Sequence, residues 1–437
     1  MNDPLRPYTP SAAQPFDLAR AGHLARRAGF GADLATRHRW VERGHEFALR
    51  EALLPGRGDD VDALLPDVLA TDDIERARAY RVWRALAGRH PFAERVALFW
   101  HGHFATGNQK VQSARLMVRH MALFDAHGLG RFDELLRAVS RDPAMLRWLD
   151  ASRNVKGKPN ENFARELFEL FALGLGAYGE PDVQAAARAF TGGREQQERY
   201  VFDRARHDRG AKDVLGATGA FGGDDVVALA AAHPASAEFL ARKWLAAFVH
   251  PAPTRPEIEA LAAEYRRQDR HVGRTLTTLL RSELFFSPRA YRSRIKPPLD
   301  FVLGAVQSLG ARVPPAALTR AIGKLGQVLL EPPSVEGWHQ EKAWVNSATW
   351  LARTNVAADL CAGRAGLALR PGATELLRGT GSPEERAARA IDLLLDGDAA
   401  PASRAALLTL ATEVGERPEA AASILQATLC LPEAHLL

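Results

Sequence analysis

Four stretches of this chain place ionisable side chains at spacings that chemistry could use. The first is Phe99-Trp100-His101-Gly102-His103-Phe104, in which two imidazoles close an amphipathic segment. Imidazole is the usual acid/base group near neutral pH and a common metal ligand. Residues two apart on a helix point about 200° apart, so His101 and His103 converge only if the helix ends near Gly102. Either could instead be a satisfied core histidine. The second stretch is Asn160 to Leu170, opened by Pro159 and Asn160 as a helix start. At about 100° per residue, Asn162, Arg165, Glu166 and Glu169 share a polar ridge, while Phe163, Leu167, Leu170 and Phe171 share an apolar one. Burial of that ridge would separate the Glu166 and Glu169 pKa values or let them share a cation, with Arg165 holding one ionised. In water it would be a solvated stripe, with an Arg165–Glu169 pair worth about 0.2–0.5 kcal/mol.

The third stretch, His207-Asp208-Arg209-Gly210-Ala211-Lys212, combines an imidazole, a carboxylate and an amine at a turn that glycine permits. A capped turn with a surface lysine explains it as well. Arg242 and Lys243, inside Phe239 to Val249, could add charge to an anion pocket or snorkel from a helix. The fourth stretch, Glu331 to Trp338, is a turn whose Trp338 could wall a pocket, followed by Trp344, Asn346 and Asn355. Core anchoring is the plainer role for both tryptophans. No glycine-rich phosphate loop, His-Glu-x-x-His, Gly-x-Ser-x-Gly elbow or dinucleotide fingerprint occurs. The catalytic candidates are therefore His101, His103, Glu166 and Glu169; the substrate-binding candidates are Asn162, Arg165, His207, Asp208, Lys212, Arg242 and Trp338. Acid/base groups beside cations, without a redox fingerprint, suit hydrolysis or group transfer on an anionic or polar substrate, and a divalent metal is a candidate cofactor. The rival is a noncatalytic helical scaffold whose polar motifs knit its own helices.

Helices must position these groups. Apolar residues three and four apart dominate from Leu18 onward, as in Ala93 to His103, Ala114 to Ala126 and Phe132 to Ser140. Pro55 to Gly58, Pro91, Pro143 and Pro159 punctuate them with short connections. Extended candidates are confined to Arg199–Asp203 and Lys212–Gly216 in the Gly-rich, charged stretch from Thr191 to Asp225. The expected fold is all-α, a multi-helix globular array with a small β-hairpin insertion near residues 199–216 and no fixed-period repeat. Residues 1–17 read as a flexible segment and 18–362 as the main helical domain. Its lobes, about 18–190 and 226–362, are joined by a loop or hairpin at 191–225. Residues 363–437 form a helical cap reached through the looser Gly363 to Ser382.

Composition narrows the class. At 437 residues, 46% hydrophobic and 25% charged, the chain has a core to build and is not disordered. Its longest apolar runs, Phe239 to Val249 and Leu425 to Leu431, fall below the roughly 20 residues of a membrane span. A net charge of +5 is scattered among nearly as many acids, so nucleic acid is not the expected partner. Two cysteines, Cys361 and Cys430, support neither a disulfide scaffold nor a thiolate zinc site. Met1 to Asp17 is polar and Pro-rich without an apolar signal core, which points to the cytoplasm; export with a partner is the alternative.

Taken in order, the Ala21 to Gly31 segment, Trp100 to Phe104, Asn160 to Gly174, His207 to Gly216, the Ala241-Arg242-Lys243 helix and the Pro332-Pro333-Ser334 loop ending in Gly337-Trp338 resemble one bacterial family. It is known as domain of unknown function 1800. The resemblance spans roughly Asp17 to Asn355 and implies a predominantly helical protein with no settled activity to carry over. It also implies a partner: members are often encoded beside domain of unknown function 1501, which looks like the alkaline phosphatase and sulfatase superfamily. Two departures matter. Gly102 stands where many members carry Asn, and Phe171 where many carry His, which would remove a metal site relying on that position. Members commonly begin with an export signal.

Overall fold

The computed structural model describes residues 3–56, 60–339 and 341–437, so part of the turn signalled at Pro55 to Gly58 lies outside the described residues. The fold is all-α with two small antiparallel two-stranded sheets. Local chemistry starts the helices where polar caps and prolines stand. Asp17, Asp33, Ser113 and Asp142 each accept a backbone N–H from the first turn they open. Proline begins Pro91–His103, Pro234–Phe248 and Pro298–Ser308, where its missing N–H costs nothing. The first two of these carry the site and cross in the core, with the fully buried Trp100 and Trp244 rings edge to face at 6.4 Å.

The hairpin expected near 199–216 is two hairpins. Gly193–Gln196 pairs with Arg199–Phe202, and Lys212–Val214 with Ala217–Gly219. Gln197 and Glu198 both have positive φ, 51° and 61°, as a two-residue turn matched to strand twist requires. Neither is the Asn or Gly that signals such a turn. Residues 207–211 therefore connect the hairpins rather than turn within one.

The apolar cores divide the chain differently from the expected lobes. One core runs from Leu5 through Ala290 with Leu330; the other joins Leu299 through Leu429 to Phe30, Leu34, Val82 and Ala85. Helices after residue 226 thus share a core with the N-terminal half, and those after 298 with the C-terminal cap. The stretch read as a flexible N-terminal segment is tied down from residue 5: Tyr8 N–H donates to the Arg281 carbonyl, and Leu5, Tyr8 and Phe16 are buried. No helix among the described residues is long and apolar enough to cross a membrane.

The motif from Asn160 departs from a continuous α-helix. It is α-helical over Asn162–Glu166 and π-helical over Leu167–Ala172. Leu173 and Gly174 both donate back to Phe168 O, so the Leu170 and Phe171 carbonyls at the helix end take donors from side chains.

Candidate active site

A cavity of about 370 Å³ opens between the Pro91–His103 and Pro234–Phe248 helices, the 294–300 segment and the 327–344 loop. Its floor is one helical stripe: Arg95, Leu98, Phe99, Gly102 and His103 recur three and four apart and all face it. Lys243, Ala246 and Ala247 form the second wall by the same spacing. Phe248, Trp338 and Trp344 make much of the rest aromatic.

Two of the three cations on these walls are committed. Arg95 donates to the Arg26 and Gly29 carbonyls, lies over the Phe30 ring and pairs with Asp300. Arg294 donates to the Ala247 carbonyl and pairs with Glu341. Lys243 is different. Its Nζ sits 3.1 Å from His103 Nδ1, 3.1 Å from the Leu170 carbonyl oxygen and 4.6 Å from the Phe239 ring centre, and no carboxylate among the described residues pairs with it. Burial pushes its ammonium down to about 8. His103 Nε2 donates to Phe171 O at 2.9 Å, which leaves Nδ1 as the acceptor facing Lys243. Burial, then the Lys243 charge, hold this imidazole well below its usual range, against the pull of the Phe171 carbonyl. The result is a neutral imidazole hydrogen-bonded to an easily deprotonated amine, both seated on the carbonyl end of the π-helical turn.

His101 does not reach the cavity. It is fully buried behind Trp338, ring centres 5.0 Å apart, and accepts the Leu330 N–H at Nε2. Further inward lies a buried pair that sequence reasoning missed, His120 Nδ1 at 2.7 Å from Asp142. His101 thus fastens the start of the loop that roofs the cavity. Gly337 seats the rest: its φ is +89°, and a Cβ there would stand 2.4 Å from the Gly102 carbonyl oxygen. Gly337→Ala is expected to lift the loop and cost on the order of 2 kcal/mol, read as a shift in urea midpoint together with altered tryptophan emission. Gly102→Ala is the control, since a Cβ there meets nothing within 4 Å; equal destabilisation by both would refute the seating.

The remaining candidates distribute as follows. Trp338 lines the cavity, as does Glu336. Glu166 is half-buried, and burial, then Glu169, raise its carboxyl, with Glu336 adding to the same direction against Arg165. Glu169 accepts the Tyr178 hydroxyl at 3.3 Å. Asn162 and Arg242 are exposed and do not join. Arg165 points the other way, into pairs with Glu161 and Glu180. His207, Asp208 and Lys212 do gather, but around Arg188 and Thr191 instead of the cavity: Asp208 pairs with Arg188, His207 Nδ1 meets Thr191 O, and Lys212 Nζ donates to the Asp208 and Gly210 carbonyls. Asp208 and Lys212 are thus spent on holding that turn. No group of three or more His, Cys, Asp or Glu among the described residues is arranged to hold a metal ion.

Arg95, Asp300, Arg294, Glu341 and Gln327 are the polar wall residues that the sequence motifs leave out. For Arg95 a signal existed, the spacing 95, 98, 99, 102, 103 on the helix that carries both histidines; Asp300 and Glu341 stand in the first turns of the Pro298–Ser308 helix and of a short 3-10 turn, and Arg294 and Gln327 in irregular segments.

Residues 23–436 match the family described as protein of unknown function (DUF1800). No curated protein and no solved structure matches the chain.

Proposed function

The chain belongs to the DUF1800 family, and since that membership names no reaction, we propose a function from the cavity: an enzyme of the hydrolase or group-transfer class whose acid/base couple is His103 and Lys243. One observation carries this reading. An amine that no carboxylate among the described residues pairs with lines an aromatic-walled cavity and is hydrogen-bonded to the Nδ1 lone pair of a neutral imidazole, the arrangement that lets a proton move near neutral pH. The substrate it suits has a largely apolar body and one polar group. His101 and Glu166, the pair suggested by residue type, give way to His103 and Lys243 because only the latter two line the cavity.

The test is turnover of a panel of p-nitrophenyl esters, phosphates and sulfates by wild type, His103→Gln and Lys243→Met. Loss of turnover in both variants, each verified folded by circular dichroism, is the expected outcome. Wild-type rates no greater than those of the variants across the panel would sink hydrolysis.

A second reading has its own support. Arg165 and the 207–212 turn spend their polar groups within the chain, as motifs of a noncatalytic helical partner of a phosphatase- or sulfatase-like protein would. Copurification with such a partner, unaffected by Lys243→Met, would favour it.

A further inference from the structure

We propose that Lys243 forms a Schiff base with an uncharged aldehyde or ketone bound in the cavity, with His103 carrying the protons. The inference rests on the cavity being an active site and narrows what enters it. A substrate carboxylate would need a free cation, yet Arg95 and Arg294 are already paired with Asp300 and Glu341. That leaves the Lys243 amine facing walls of Phe99, Phe248, Trp338 and Trp344, which suit an apolar body.

The amine is also held for attack. Two of its hydrogen-bond directions are fixed by His103 Nδ1 and the Leu170 carbonyl. With no carboxylate to keep it ionised, burial releases its lone pair near neutral pH. The steps balance without a further reactant. The Nζ lone pair bonds to the carbonyl carbon as the C=O π pair moves to oxygen. One N–H proton passes to His103 Nδ1 and from there to that oxygen, giving a neutral carbinolamine. The nitrogen lone pair then expels the hydroxyl, which leaves as water with the remaining N–H proton passed on through His103 Nδ1, and a neutral C=N bond remains.

The experiment incubates wild-type protein with benzaldehyde and cyanoborohydride at pH 8 and maps the benzylated residue by peptide mass spectrometry. The chain has eight lysines. Lys243 should label on the order of a hundredfold faster than exposed lysines, the ratio of neutral amine expected at pH 8 for groups near 8 and 10.5. Lys296, enclosed but not on the cavity wall, should stay unlabelled. Labelling is read on wild type, so it does not depend on a variant folding. His103→Gln should slow it, and Gly102→Asn, whose side chain would project into open space, should block it. Modification spread over exposed lysines with Lys243 no faster overturns the proposal. If p-nitrophenyl turnover still depends on His103 and Lys243 in that case, the acid/base reading survives; if it does not, both fall.

Discussion

Asp396→Ala is expected to lower the unfolding free energy by about 3–5 kcal/mol, the cost of stranding buried charge by removing its partner. Asp396 follows the Pro383–Leu395 helix in the left-handed conformation, φ 58°. Its carboxylate pairs with both Arg26 and Arg37, and all three side chains are buried. Burial alone would raise this carboxyl, but Arg26 and Arg37 hold it below the usual carboxylate range. Arg37 also donates to the Leu393 carbonyl at 2.7 Å. The carboxylate packs so closely on Gly22 that a Cβ at that glycine would stand 2.1 Å away. One carboxylate thus ties the first helices to the C-terminal cap. Asp359→Ala is the matched control, because its pair with the exposed Arg364 is worth at most about 1 kcal/mol. Guanidinium unfolding of the two variants decides it; an Asp396→Ala loss no larger than that of Asp359→Ala would mean that Arg26 and Arg37 find other partners or water.

Much of the fold is written in periodicity that a reader can follow. The Pro91–His103 helix shows it: Phe92, Val96, Ala97 and Trp100 alternate at three and four, and all are buried. The cavity is less legible for a physical reason. Its walls come from segments near 95–103, 243–251, 294–300 and 327–344, brought together by tertiary packing that no local pattern encodes. His103 and Trp338 stand out by residue type, but His101 stands out equally and faces inward. Residue type alone could not separate the two imidazoles; their position on the helix does, since only His103 lies on the stripe of Arg95 and Phe99. Arg242 and Lys243 pose the same question on the partner helix. The π-helical turn was illegible altogether, because Leu167 to Ala172 reads as ordinary helix and only the rotated carbonyls reveal it. In the 207–212 turn, polar residues are satisfied partly by one another and partly by Arg188 and Thr191, which tertiary packing brings to them.

Four histidines make acid the condition to which this protein should be most sensitive. His23, His101 and His103 are each held well below 6.5, and His435 is pushed down to about 3, with burial the largest cause throughout. Nearby cations add to it: Arg27 and Arg26 for His23, Arg81 for His101, Lys243 for His103, Arg353 and Lys296 for His435. Below 6.5 the unfolded chain binds protons that the folded chain refuses. Stability from these groups is therefore complete above 6.5 and falls with pH below it, for His435 down to about 3. At pH 5 His435 contributes a loss of about 2 kcal/mol, 1.5 pH units at about 1.36 kcal/mol, and the other three act in the same direction. That alone is a sizeable part of the stability of an ordinary domain, about 5–15 kcal/mol. Glu166 acts in the opposite direction, since its folded carboxyl is raised and gains protons first on acidification, but it is one half-buried group against four enclosed imidazoles. Urea unfolding at pH 7 and pH 5 and constant ionic strength should show a loss of about 2 kcal/mol or more, and His103→Gln should make that loss smaller, provided its own destabilisation at pH 7 is subtracted. Equal unfolding free energies at the two pH values would mean that these imidazoles accept protons in place, and the neutral His103 on which the couple with Lys243 depends would go with them.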